Sequence, residues 1–171
     1  MIHFCSGLVK VTLNTVGVND YTDNIKWLTL DEALKSSKEL KLPILVFIHL
    51  PLCESCNRLR PIIESSEEII TLSKDFLMVQ INEQNVKDDF RIDGQYTPRI
   101  IFLSPDGKPL PQFINKLGNP NIKYYYPNAK SIVKAMSEVS LAYPVKCPTD
   151  KPCHLHGVQN SNWKRSADKQ H

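Results

Sequence analysis

The chain has 171 residues, enough for one domain with a sizeable core and a tail, and its 42% hydrophobic and 23% charged content is that of an ordinary globular protein. The net charge of +3 arises beyond Pro144, where five lysines and arginines face two acids; the rest balances at 16 against 16. A basic nucleic-acid surface on the folded part is therefore not indicated, and no apolar run approaches the roughly 18 residues of a membrane span.

Residues 1–23 show little pattern and read as an irregular N-terminal segment. Met1 to Val9 is mildly apolar but lacks a basic leader and a clean apolar core, so it makes a poor signal peptide. A helix is expected from Thr29, because Thr29 and Glu32 form a capping box and Leu30, Ala33, Leu34 and Leu40 supply an apolar stripe. Leu42 to Leu50 is short, apolar and β-branched, and reads as a buried strand. Next come Cys53-Glu54-Ser55-Cys56 and a helix running to about Ser73 that Pro61 must kink.

Phe76 to Asn82 reads as a second strand, and Glu83 to Tyr96 as a polar connection with a turn at Asp93-Gly94. Thr97-Pro98 opens a third strand, Arg99 to Leu103. Ser104-Pro105-Asp106-Gly107 is a strong turn that hands on to an edge segment near Gln112-Phe113-Ile114. Pro127 as the first helical residue begins a last helix with Ile132, Met136, Val139 and Tyr143 on one face. Residues 144–171 lack apolar periodicity and read as a flexible basic tail.

The chemistry sits in the cysteine pair. A helix N-terminus carries partial positive charge, stabilises a thiolate and lowers the pKa of the first cysteine, while two intervening residues let the second sulfur close a disulfide. Zinc ribbons use the same spacing, so the pair alone does not decide the matter. In the thioredoxin fold a proline kinks the helix after such a pair, and an X-Pro bond before the next strand is cis and lies against the cysteines. Pro61 and Thr97-Pro98 stand at those places. The fold class expected is therefore α/β: a thioredoxin fold over residues 24–143, with a central mixed β-sheet flanked by helices and an extra N-terminal helix.

Asp93-Gly94-Gln95-Tyr96-Thr97-Pro98-Arg99, Phe102 to Lys108, and Gly118-Asn119-Pro120 with Lys123 to Tyr126 resemble the small single-domain thioredoxins of the endoplasmic reticulum, relatives of the anterior gradient proteins. The resemblance spans Trp27 to Tyr143. It implies a protein-disulfide oxidoreductase of the secretory pathway that needs no metal and no bound cofactor, with glutathione as co-substrate and client proteins bearing disulfides or dithiols as partners. It implies Cys53 as nucleophile, Cys56 as resolving thiol and Pro98 as part of the catalytic platform. Thr97 and Arg99 become candidate client contacts, Arg99 weighed against an ordinary solvated strand-edge charge.

Departures from the family pattern carry their own expectations. The anterior gradient relatives keep one cysteine of the pair, and this chain keeps both. Leu52 stands where a tryptophan is common, and Phe47 where a buried acid accepts the proton of the second cysteine. His49 is the nearest replacement base, or else a strand-end histidine satisfied by backbone. Glu54 beside Cys53 opposes the helix dipole, which points to a less acidic thiol and a more reducing couple. The chain closes on Asp168-Lys169-Gln170-His171 without the family's retention tetrapeptide, so the endoplasmic reticulum lumen rests on the resemblance, with secretion as the other destination. Cys147, Cys153, His154 and His156 admit a zinc site, a local disulfide or free thiols, and Cys5 has no assigned role. The competing function is a client-binding or homodimerising module in which redox chemistry is secondary.

Overall fold

The computed structural model describes residues 24–145; the N-terminal segment, the tail from residue 146 and the cysteines within them lie outside the described residues. The element order is β1 (Trp27–Leu28), α1 (Leu30–Leu40), β2 (Ile44–His49), α2 (Glu54–Ser65), α3 (Glu67–Leu72), β3 (Leu77–Asn82), β4 (Arg99–Leu103) and α4 (Ala129–Ala142). The strands form one mixed sheet in the order β1-β3-β2-β4, in which β1, β2 and β3 run parallel and β4 runs antiparallel to β2. This is the thioredoxin fold.

β2 is central and both its faces are covered, which is why its sequence is a continuous apolar run rather than an alternation. Leu45 and Phe47 face one layer, built from Leu59, Ile63, Ile69, Ile132, Met136 and Val139 of α2, α3 and α4. Ile44, Val46 and Ile48 face the other, with Ala33 of α1, Val86, Phe90 and Tyr124. At the carboxyl end of β2 the chain leaves the sheet and turns directly into α2. That end is where open α/β sheets place their sites.

The capping box at Thr29 forms: its Oγ1 accepts from the Glu32 N–H, and the Glu32 carboxylate accepts from the Thr29 N–H. Four expectations change. The helix expected to run to Ser73 is two helices, because Ser66 is extended, ends α2 through its N–H to the Ile62 carbonyl, and caps α3 through Oγ. The Glu83–Tyr96 connection is not only polar; it inserts Val86 and Phe90 into the core through two short 3-10 turns. No edge strand forms at Gln112–Ile114 among the described residues. Pro109 and Pro111 bring no N–H to a ladder, which stops after a bridge from Leu103 to Pro109 and the Leu110 N–H bond to the Phe102 carbonyl. Phe113 instead packs edge-on against Phe102 in the core. Pro127 lies before α4 rather than within it: Asn128 is extended and its Oδ1 accepts from the Ser131 N–H, so Asn128 is the cap. A strand with no sequence signal of its own also forms: β1, two residues held by pairing with β3 and by the packing of Trp27 on Phe47.

Candidate active site

Cys53 is the N-cap of α2. Its backbone is extended, its carbonyl accepts from the Asn57 N–H, and its Sγ accepts from the Cys56 N–H at 3.2 Å. A sulfur at a helix N-cap receives both a direct N–H and the field of the aligned peptide dipoles, and both favour the thiolate over the thiol. Cys53 and Cys56 are joined in a disulfide with Cα atoms 5.2 Å apart. Their surroundings are unequal. Cys56 is 2% exposed and packs with Phe47, Leu59 and Ile63, whereas Cys53 is only partly covered. The pair therefore has one sulfur that an incoming disulfide can reach and one that can act only from behind.

The loop before the pair is short and tied down by the Cys53 N–H to the Leu50 carbonyl and Asn57 Nδ2 to the Pro51 carbonyl. Leu52, next to the reachable sulfur, is 98% exposed. Glu54 is exposed and forms an i,i+4 ion pair with Arg58, which also donates to Ser55 Oγ. The carboxylate expected to oppose the helix dipole is thus partly compensated by a cation on the next turn.

Beneath the pair, Phe47 is fully buried and the His49 ring stacks on it, with centroids 5.4 Å apart at 15°. Burial lowers the His49 pKa, and the positive charge of Arg60 lowers it further. The imidazole is accordingly neutral near neutral pH, the form able to accept a proton. Trp27 packs on the other side of Phe47 at 6.2 Å, and its indole N–H donates to Glu64 Oε1 at 3.0 Å. Arg60 Nε donates to the same oxygen at 2.9 Å. Trp27, Arg60 and Glu64 escaped the sequence reading. The i,i+4 spacing of Arg60 and Glu64 was a visible signal, but the tryptophan that joins them comes from another element.

The Thr97–Pro98 peptide bond is cis. Ile48 pairs with Arg99 and Phe47 with Ile100, so one further step along the same antiparallel register sets Pro98 beside His49. Pro98 is buried and Thr97 half-buried. The structure thus gathers Cys53, Cys56, His49, Thr97 and Pro98 at one end of the sheet. Arg99 departs from this group. It shares its sheet face with Ile48, Ile101 and Leu103, opposite to Phe47 and the cysteines, and its side chain is 0% exposed, bonded to Glu83. Arg99 is neither a solvated edge charge nor placed where a client could touch it. The alternation of strand side chains decides this: one residue after Pro98 points to the other layer.

Among the described residues no group of three or more His, Cys, Asp or Glu side chains could hold a metal ion; Cys147, Cys153, His154 and His156 lie outside them.

Residues 26–105 match a family model described as thioredoxin-like. Anterior gradient protein 3 of Xenopus tropicalis is 34% identical over 85 residues, which are 48% of this chain and 52% of that protein. The human anterior gradient protein 2 homolog is 31% identical over 84 residues, 48% of each chain. The chain spans about half the length of the curated relatives it matches. Among solved structures, a thioredoxin from Thermus thermophilus superposes with a TM-score of 0.51 at 16% identity, covering 71% of this chain and 91% of that one, and shares the fold. The thioredoxin-like segment is thus homologous to the anterior gradient proteins.

Proposed function

We propose that the protein is a protein-disulfide oxidoreductase acting on secretory-pathway clients through Cys53 and Cys56. One observation carries the reading: the reachable sulfur is the N-cap of a helix while its partner is buried behind it. In reduction, the Cys53 thiolate attacks a client disulfide, forming a bond to one client sulfur and releasing the other as thiolate. Cys56 then loses its proton, with His49 as the acceptor, and attacks Cys53 Sγ. The client leaves with two thiols and the protein holds the disulfide, so two electrons have passed to the client. Two glutathione molecules return the protein to the dithiol and become glutathione disulfide. Oxidation of a client dithiol is the same sequence reversed.

The motif around Asp93 to Arg99 and the retention of both cysteines favour a protein of the kind of thioredoxin domain-containing protein 12, with the endoplasmic reticulum lumen as the site of action. The homology to anterior gradient proteins supports the same compartment. Phe47 in the place of an acid and the exposed Leu52 favour the second reading, a client-binding or homodimerising module.

Insulin reduction with glutathione as electron source separates the two, together with trapping on a non-reducing gel. The wild type should reduce insulin, and Cys56→Ser should accumulate mixed disulfides with clients while Cys53→Ser accumulates none. Equal trapping by both variants would reverse the assignment, and a wild type without reductase activity would leave the binding module.

A further inference from the structure

We infer that Arg99, Glu83, Tyr96 and Asp93 form a positioning clamp that holds the Thr97–Pro98 segment beside the disulfide, and so sets how tightly a protein client docks rather than how reactive Cys53 is. The inference rests on the oxidoreductase reading. Arg99 Nη2 donates to Glu83 Oε2 at 2.7 Å, in a pair buried beneath the sheet end. The other Glu83 oxygen accepts from Arg91 Nε at 3.3 Å, and Arg91 also donates to the Val86 and Glu83 carbonyls. The Arg99 guanidinium lies over the Tyr96 ring, 5.6 Å from its centroid. The Tyr96 hydroxyl donates to Asp93 Oδ2 at 2.7 Å and accepts from the Tyr124 N–H at 3.0 Å. Asp93 Oδ2 also accepts from the Lys123 N–H. Both neighbours of Thr97–Pro98 are thus anchored, one to the end of β3 and one to the segment before α4.

A buried ion pair is a poor choice if only stability is at stake, because apolar side chains of the same volume do as well or better. Its hydrogen bonds are directional, and here they fix backbone lying one residue from the face that carries the cysteines. Among the described residues Arg99 Nε and Nη1 have no hydrogen-bond partner, so its orientation depends on Glu83 and Tyr96. Its charge is matched by Glu83 and it points away from Cys53, which is why the clamp should act on docking and leave the thiolate alone. The same contacts account for the sequence run Asp93-Gly94-Gln95-Tyr96-Thr97-Pro98-Arg99: Asp, Tyr and Arg are the clamp, and Thr and Pro are what it holds.

The test replaces the pair by apolar side chains, Arg99→Met with Glu83→Met, and separately makes Tyr96→Phe, which keeps the ring and removes the hydroxyl. Steady-state reduction is measured with insulin and with hydroxyethyl disulfide, and Cys53 thiolate absorbance is followed against pH. The double variant should raise KM for insulin about tenfold and Tyr96→Phe about threefold, with kcat within about twofold. Hydroxyethyl disulfide reduction and the thiolate titration should not move. If the double variant does not fold, Tyr96→Phe decides. An unchanged insulin KM, or an equal loss with the small disulfide, overturns the clamp while the oxidoreductase reading stands. A wild type that reduces neither substrate overturns that reading and this inference with it.

Discussion

At the scale of single residues, the reactivity of Cys53 is a balance between a helix N-terminus and one carboxylate. Glu54 is 86% exposed and paired with Arg58, so its influence on the sulfur is screened by water and offset by the guanidinium. Glu54→Gln should lower the Cys53 pKa modestly, and Arg58→Gln, which leaves the carboxylate uncompensated, should raise it. Thiolate absorbance against pH reads both; shifts of the same sign would show that this ion pair does not tune the site. His49 makes a separate prediction. Its folded pKa lies below the 6.5 of an unperturbed histidine, so below that pH the unfolded chain binds the proton more readily than the folded one. The stability linked to His49 is complete above about pH 6.5 and is lost as pH falls through the folded value. Thermal melts between pH 7.5 and 5 should show a smaller decline for His49→Gln than for the wild type. Parallel declines would mean the imidazole titrates freely in the folded state.

At the scale of elements, the helix ends are where sequence chemistry acts most directly. α1 begins in a complete capping box but ends on Lys41, which takes the left-handed conformation at φ 58° while its N–H closes on the Ser37 carbonyl. A residue with a Cβ is disfavoured there by roughly 1–2 kcal/mol, part of which glycine gives back through its freer unfolded state. Lys41→Gly should stabilise the domain by up to about 1 kcal/mol, seen as a rise of a few degrees in Tm. A fall in Tm would mean that the lysine side chain contributes more than its backbone strain costs. The Ser104–Gly107 turn shows the opposite case. Gly107 has φ +79°, a conformation that strains any residue with a Cβ; the atom a Cβ would meet, Leu34 Cδ2 at 2.5 Å, is the end of a flexible side chain, so it is the backbone conformation that calls for glycine.

At the scale of the whole molecule, the layers on the two sheet faces do different work. The α2–α3–α4 side carries the disulfide and its aromatic floor, and the α1 side carries the buried ion pair that holds the facing loop. The last helix closes the first of these layers, with Tyr143 packed against it. Residues 146–171 have no apolar periodicity in their sequence, so their removal should leave Tm and insulin reduction nearly unchanged. A large loss of stability on truncation would show that Cys147 or Cys153 is tied into the domain.

The sequence by itself determined the things that are local. A capping box, a β-branched run, two cysteines at a helix start and a Ser-Pro-Asp-Gly turn each act through neighbours a few residues away, and each stands in the structure where its residues put it. Ser66 belongs to the same class, since a serine followed by two glutamates is a helix start, but Ile62 and Ile63 recur seven residues later as Ile69 and Ile70, a helical period that fits one helix as well as two. What only the tertiary structure decided is pairing across long stretches of chain. β1 exists because β3 lies beside it, and the stretch from Pro109 to Phe113 is not a strand because its prolines cannot pair and the core has room for Phe113. Arg99 is the sharpest instance. Beside a substrate-platform proline it reads as a contact, yet strand alternation sends it to the opposite layer, where Glu83, sixteen residues earlier, meets its charge. Burial of a charge depends on what the fold brings against it, and no local pattern of residues records that.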